Sequence, residues 1–195
     1  QGDHVILSRN VYGGTYRMTT QVLSNHGLQF DFVDTRDIRL IKKAIKTNTK
    51  WIFVETPTNP MLEITDITAV SKLCKENNLL FAVDNTFMSP YGQRPIENGA
   101  DCVMHSSTKF IGGHSDVLGG ILVVKNKELA EKLHFIQKSG GAIPSPFDAW
   151  LLLRSVKTMA MRVQKASDNA MVLAKYFDSH SLSLIHISEP TRLGA

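Results

Sequence analysis

The chain has 195 residues, enough for one large domain with a real core. Hydrophobic residues make up 43% of it and charged residues 21%, a globular balance that excludes a disordered or collagen-like chain. The net charge of +4 is spread out, with no basic block or stacking-aromatic motif, which argues against a nucleic-acid partner and fits a phosphorylated or carboxylated small molecule.

In chain order, short β-rich runs alternate with helical patterns. Strands are predicted at 4–8, 29–33, 51–55, 80–84, 102–106 and 120–124, and helices at 19–26, 37–45, 66–77 and 127–138. A longer helical pattern starts near Pro146, with an apolar stripe that would pack on the sheet or on a partner subunit. This alternation predicts a doubly wound α/β fold, a mostly parallel sheet with helices on both faces. No apolar run approaches a membrane span, and Q-G-D-H-V-I-L lacks the form of a signal peptide, so no membrane partner is expected. Cys74 and Cys102 have no C-x-x-C or metal-ligand spacing and read as inert thiols of a reduced, cytoplasmic protein, with no metal. The chain starts at Gln1 rather than at methionine, which suggests a fragment.

Ligands of open α/β sheets bind outside the carboxyl ends of the strands, so those ends are the places to search. After 51–55 comes T-P-T-N-P, two prolines predicting a rigid, extended turn that aims Asn59. Taken alone, Asn59 reads as an Asx turn. The run 80–84 ends in Asp84, which alone reads as a cap for the next segment. After 102–106 comes S-S-T-K, where Lys109 alone reads as a surface charge beside Ser106 and Thr108. Their coincidence changes the odds: Asn59 to Asp84 and Asp84 to Lys109 are each 25 positions apart, one strand–helix–strand period. An amide, a carboxylate and a lysine with hydroxyls would then share one crevice. Such a lysine can bond an aldehyde, the carboxylate can pair with a pyridinium nitrogen, the amide can meet a phenolate oxygen and the hydroxyls can hold a phosphate. Together these are the demands of pyridoxal 5'-phosphate.

Five strings in order, V-Y-G-G-T-Y-R, E-T-P-T-N-P, V-D-N-T-F, H-S-S-T-K-F-I-G-G-H-S-D-V and L-R-S-V-K-T-M-A-M-R, resemble the motifs of the Cys/Met-metabolism pyridoxal-phosphate enzymes. The nearest likeness is to the trans-sulfuration branch that holds cystathionine gamma-lyase and gamma-synthase. The resemblance implies a fold type I, aspartate-aminotransferase-like large domain over 1–180, with a sheet of the seven-stranded type. It makes Lys109 the lysine that bonds the cofactor and, with Tyr12, a catalytic residue. Asp84 becomes the partner of the pyridine nitrogen, and Ser106 and Thr108 become phosphate ligands. Tyr12 and Thr86 would lie against the cofactor ring, Asn59 by its phenolate oxygen and the substrate carboxylate, and Arg17 on the substrate side. Without the motif order, Tyr12 reads as a half-buried turn tyrosine and Arg17 as a helix-start cation. The implied substrate is a sulfur amino acid, processed by γ-elimination of cystathionine or γ-replacement on an activated homoserine, in a homotetramer built as a dimer of dimers.

In the family, a preceding segment supplies further phosphate contacts and a neighbouring subunit's tyrosine and arginine, and a C-terminal domain binds the substrate carboxylate. Neither region is expected in this chain. Residues 181–195, which depart from the family, are expected to be a non-native tail. Ser107 stands where alanine is usual and should be tolerated. His105 and His114 are expected to be satisfied structural groups rather than metal ligands. Two alternatives stay open: a non-catalytic α/β module in which Lys109 only neutralises a phosphate, and an inactive piece of the enzyme.

Overall fold

Five of the predicted runs form strands with the expected bounds, and the sixth starts two positions early. The computed structural model describes residues 2–180. The strands are β1 (His4–Ser8), β2 (Gln29–Val33), β3 (Thr49–Glu55), β4 (Leu80–Asp84), β5 (Cys102–Ser106) and β6 (Gly120–Val124). The early start of β3 has a local cause: the Thr49 hydroxyl meets the His4 ring at 2.8 Å and accepts from the Lys46 N–H at 2.7 Å. Among the described residues the sheet holds six strands, in the order β2-β1-β3-β4-β5-β6. Every neighbouring pair is parallel except β5 with β6. The α/β class is therefore as expected.

Side chains alternate across a strand, which sorts the apolar residues onto two faces. Ile6, Ile52, Val54, Phe81, Val83 and Val103 form one face and build the core with α2 (Ile38–Ala44) and α3 (Ile67–Glu76). The carboxylate of Asp66 caps α3 by accepting from the Ala69 N–H at 2.9 Å, and the helix buries Ile67, Val70, Leu73 and Cys74. The core is thus a sheet face under two helices.

The opposite face is covered near β1 and β2 by α1 (Gly13–Arg17), a π turn at Met18–Val22 and a 3₁₀ turn at Leu23–His26. Tyr16 of this segment packs on Phe32 of β2 with ring centroids 5.2 Å apart. The helix expected at 19–26 in fact begins at Gly13, two glycines that read as loop. Hydroxyls of Thr19, Thr20 and Ser24 bond back to carbonyls three or four residues earlier, which loosens the turn beyond Arg17. The cleft lies on this face, lined by Val5 and Leu7 of β1, Phe53 of β3, Asp84 of β4 and Met104 of β5.

Short α4 (Ser89–Gly92) follows β4, and α5 (Lys127–Gly140) runs two residues past its predicted end. The long pattern from Pro146 divides into α6 (Pro146–Val156) and α7 (Met159–Ser179). The break follows from one carbonyl: Ser155 C=O accepts from the Thr158 N–H at 3.2 Å and from Arg162 at 2.8 Å, so the helical ladder does not continue through it. Of the two surfaces expected for the apolar stripe, the sheet and a partner subunit, the sheet does not take it: Phe147, Trp150, Leu153 and Met161 are all more than half exposed.

Candidate active site

Parallel pairing brings the strand ends level. Glu55 lies opposite Asp84, and Asp84 opposite Met104, so β3, β4 and β5 deliver their last residues to one rim. A cleft of about 730 Å³ opens there, within the usual range for a small-molecule site. Tyr12, Asn59, Asp84, Thr86, Ser106, Thr108 and Lys109 all line it. Arg17 does not: it is exposed one turn along α1, with its guanidinium beside Gly13.

Asp84 is only 4% exposed, and burial raises its carboxyl above the ordinary range. Its Oδ1 accepts from the Thr86 N–H at 3.0 Å and hydroxyl at 2.6 Å, bonds that work against that rise. The Thr86 hydroxyl in turn accepts from the Ser106 N–H at 2.8 Å. Its oxygen therefore links the carboxylate to the start of the lysine turn.

That turn runs over Ser107–Ile111, with a break in helical dihedrals at Lys109 (φ −88°, ψ −124°). Lys109 is exposed and forms no ion pair among the described residues. Beside it, Thr108 Oγ1 accepts from the Gly119 N–H at 3.1 Å, which leaves its proton to donate. The Ser106 hydroxyl makes no hydrogen bond among the described residues. On the far side the guanidinium of Arg162 donates to the carbonyls of Phe110 (2.9 Å) and Ile111 (3.4 Å), tying the turn to the break between α6 and α7. Gly113 has φ +71° and lies against that guanidinium, so this position has no space for a Cβ. A second cleft of about 1030 Å³, lined by Asp116, Asp148 and Arg162, shares Thr108 and Lys109 with the first.

Tyr12 packs its ring across Gly14, where a Cβ would come within 2.5 Å of it. The T-P-T-N-P segment is not extended as expected. Both X–Pro peptides are cis, and a turn closes from the Leu62 N–H to the Thr58 carbonyl at 2.8 Å. Asn59 is nonetheless at the cleft. His114 is satisfied, its Nδ1 meeting the Gly112 carbonyl at 2.7 Å, whereas His105 Nδ1 is buried without a partner. Ser107 Oγ is likewise buried and unpartnered. Burial pushes the Cys74 thiol up to about 12 and that of Cys102 to about 11, consistent with inert thiols.

Sequence reading missed Glu55. It ends W-I-F-V-E as Asp84 ends L-F-A-V-D, a carboxylate closing a buried run, and that parallel was the available signal. Burial, together with the nearby Asp84, pushes Glu55 up to about 7. Its two oxygens accept from the backbone N–H groups of Tyr12 and Asn59.

Pyridoxal phosphate fits this donor set. A buried carboxylate with both hydrogen bonds on one oxygen suits a pyridinium N–H, and a hydroxyl pair beside an unpaired lysine suits a phosphate next to an aldehyde. Sheet and cleft define an α/β scaffold of the pyridoxal-phosphate class. The chain matches the family described as Cys/Met metabolism PLP-dependent enzyme over residues 1–188. It is 51% identical over 179 residues to a probable cystathionine gamma-synthase of Herpetosiphon aurantiacus, covering 92% of this chain and 56% of that protein. A cystathionine beta-lyase of Bacillus subtilis is 51% identical over 180 residues, covering 92% and 46%. Among solved structures, cystathionine gamma-lyase from Lactobacillus plantarum complexed with L-serine matches with a TM-score of 0.91 at 47% identity, over 92% and 47% of the two chains. The chain belongs to the Cys/Met-metabolism family of pyridoxal-phosphate-dependent, trans-sulfuration enzymes. It spans about half the length of the curated relatives it matches. Residues 181–195, expected to be a non-native tail, lie outside the described residues.

Proposed function

We propose that the protein carrying this chain is a pyridoxal-phosphate enzyme of sulfur amino acids that eliminates the γ-substituent of cystathionine or replaces that of an activated homoserine. Residues 1–180 are its cofactor-binding large domain, and the cytoplasm is its compartment. The observation that carries the reading is the convergence of Tyr12, Asn59, Asp84, Thr86, Ser106, Thr108 and Lys109 on one cleft at the strand ends. The relatives include a gamma-synthase, a gamma-lyase and a beta-lyase, which supports sulfur amino-acid chemistry more broadly than either γ-reaction.

When bound, the cofactor supplies an electron sink for negative charge at the substrate Cα. Asp84 keeps the proton on the ring nitrogen, which preserves that sink, and Thr86 fixes the carboxylate's direction. Ser106 and Thr108 hold the phosphate. Lys109 Nζ would bond the cofactor's aldehyde and, as a free amine, would serve as the general base that holds and moves the substrate Cα proton. Tyr12 covers the ring and offers its hydroxyl for proton transfer, and Asn59 orients the ring and the substrate carboxylate. Arg17 acts on the substrate side, from outside the cleft lining. The exposed apolar residues of α6 support assembly into a homo-oligomer, in the family's manner a dimer of dimers.

Purified protein carrying this chain, given the cofactor, is expected to show a visible absorption band. Borohydride followed by peptide mapping should leave the cofactor mass on Lys109. Reversible uptake with no adduct overturns the reading and favours a phosphate-binding module. Assays with cystathionine, and with activated homoserine plus cysteine, separate elimination from replacement.

A further inference from the structure

Two of the residues proposed to meet the cofactor ring, Tyr12 and Asn59, come from separate loops, after β1 and after β3. The two loops meet inside the protein at a single side chain. Glu55 is 6% exposed, and its carboxylate faces the cleft from the end of β3. Oε2 accepts from the Tyr12 N–H at 2.6 Å and Oε1 from the Asn59 N–H at 3.0 Å. Its own N–H is held by Ser8 Oγ at 3.2 Å, so the residue is fixed to β1 as well. On the outer side Glu63 repeats the connection, with Arg9 and Asn10 of the first loop reaching its two oxygens. The Arg9 bond of the outer tie is exposed, whereas both Glu55 bonds are partly buried.

We propose that Glu55 is a positioning residue for the cofactor: its carboxylate sets the Tyr12 and Asn59 loops relative to each other, and so sets the slot between the tyrosine ring and the asparagine amide. This rests on the proposed function. Each oxygen takes one amide, so the role needs a two-acceptor group. Glutamine offers one acceptor oxygen and turns an NH₂ toward the other amide, which must let go. Aspartate keeps both acceptors on a shorter stem and restores part of the function. The neighbouring carboxylate is Asp84, directly opposite on β4, so an ionised Glu55 also adds negative potential beside the pyridinium position.

The test has two independent readouts on protein carrying the chain. Without cofactor, hydrogen exchange in Glu55→Gln is expected to rise at least tenfold in one or both of the segments around Tyr12 and Asn59, with the core strands unchanged. With cofactor, titration is expected to show about tenfold weaker uptake, with a reduced visible circular dichroism band from the less firmly oriented ring, and Glu55→Asp should recover part of both. Tenfold is the loss of one charge-assisted hydrogen bond. Unchanged exchange in both segments overturns the clamp. Faster exchange with wild-type affinity and dichroism overturns its role toward the cofactor. Wild-type protein that takes up no cofactor overturns the proposed function itself, which the control reveals before any variant is read. Should Glu55→Gln not fold, Glu55→Asp gives the same readouts against wild type, where full wild-type behaviour in exchange, affinity and dichroism overturns the proposal.

Discussion

Replacing Thr86 by valine keeps the shape of the side chain and removes a single oxygen. That oxygen donates to Asp84 Oδ1 at 2.6 Å and accepts from the Ser106 N–H at 2.8 Å. A hydrogen bond to an ionised carboxylate contributes about 1.5–3 kcal/mol, and an amide left without a partner costs about 1–3 kcal/mol. Water in the cleft restores part of both, so the expected loss at pH 8 is about 3 kcal/mol, below the sum of the two. For a chain of this size that lowers Tm by about 6–12 °C. Thermal and urea unfolding without cofactor check it, with Thr86→Ser as the comparison because it keeps the oxygen. The same change removes one of the bonds that holds Asp84 down against burial, so the carboxyl of the variant should titrate higher than in wild type. Thr86→Val unfolding within 1 kcal/mol of wild type, or Thr86→Ser losing as much as valine, refutes the link.

Glu55 makes stability depend on pH. Titrating near 4.5 when unfolded and at about 7 when folded, it is protonated in the folded chain where the unfolded chain has released its proton, so stability falls as pH rises through that window, by about 3 kcal/mol. Asp84 acts in the same direction; unfolding measured from pH 4.5 to 8 should show a shallower slope in Glu55→Gln, and equal slopes refute the assignment. Ser107→Ala removes a buried hydroxyl with no partner and should raise stability by about 1 kcal/mol in urea unfolding; a loss would mean the hydroxyl is satisfied. Gly113→Ala places a side chain at φ +71° against Arg162 and should cost about 1–2 kcal/mol or more, read from the same unfolding curves; a neutral result means the loop has another conformation open to it.

The strands were legible because each is a short apolar run bounded by turn residues, and Asn59, Asp84 and Lys109 because they recur one strand–helix–strand period apart, whereas Tyr12 and Thr86 came only with the motif resemblance. What stayed hidden depends on particular side-chain and backbone contacts that apolar periodicity does not record. Nothing local marks the helix at Gly13–Arg17, which opens on two glycines, the second of them leaving room for the Tyr12 ring. The division of the last helical pattern at Lys157 and Thr158 comes from Arg162 and Thr158 claiming the Ser155 carbonyl, and the local pattern of apolar residues carries no trace of that. Glu55 was read as the end of a strand because its partners are backbone amides 43 and 4 residues away, which no side-chain motif records. Arg17 was included through its motif, yet the helix directs it away from the cleft lining.

The single antiparallel strand divides the lysine loop into two parts held by different partners. Since β6 returns beside β5, Ser106 lies opposite Gly120 in register, and the Ser107 N–H meets the Gly119 carbonyl at 2.9 Å. Both ends of the excursion are therefore locked to one sheet edge, and the hydroxyls of Ser106 and Thr108 sit at the locked base. Residues 110–118 form the outer arc, which shapes the second cleft and is held to α6 and α7 through Arg162. The base of the loop is therefore held by the sheet and its arc by the last two helices, so the position of the Ser106 and Thr108 hydroxyls and the shape of the second cleft depend on different parts of the fold.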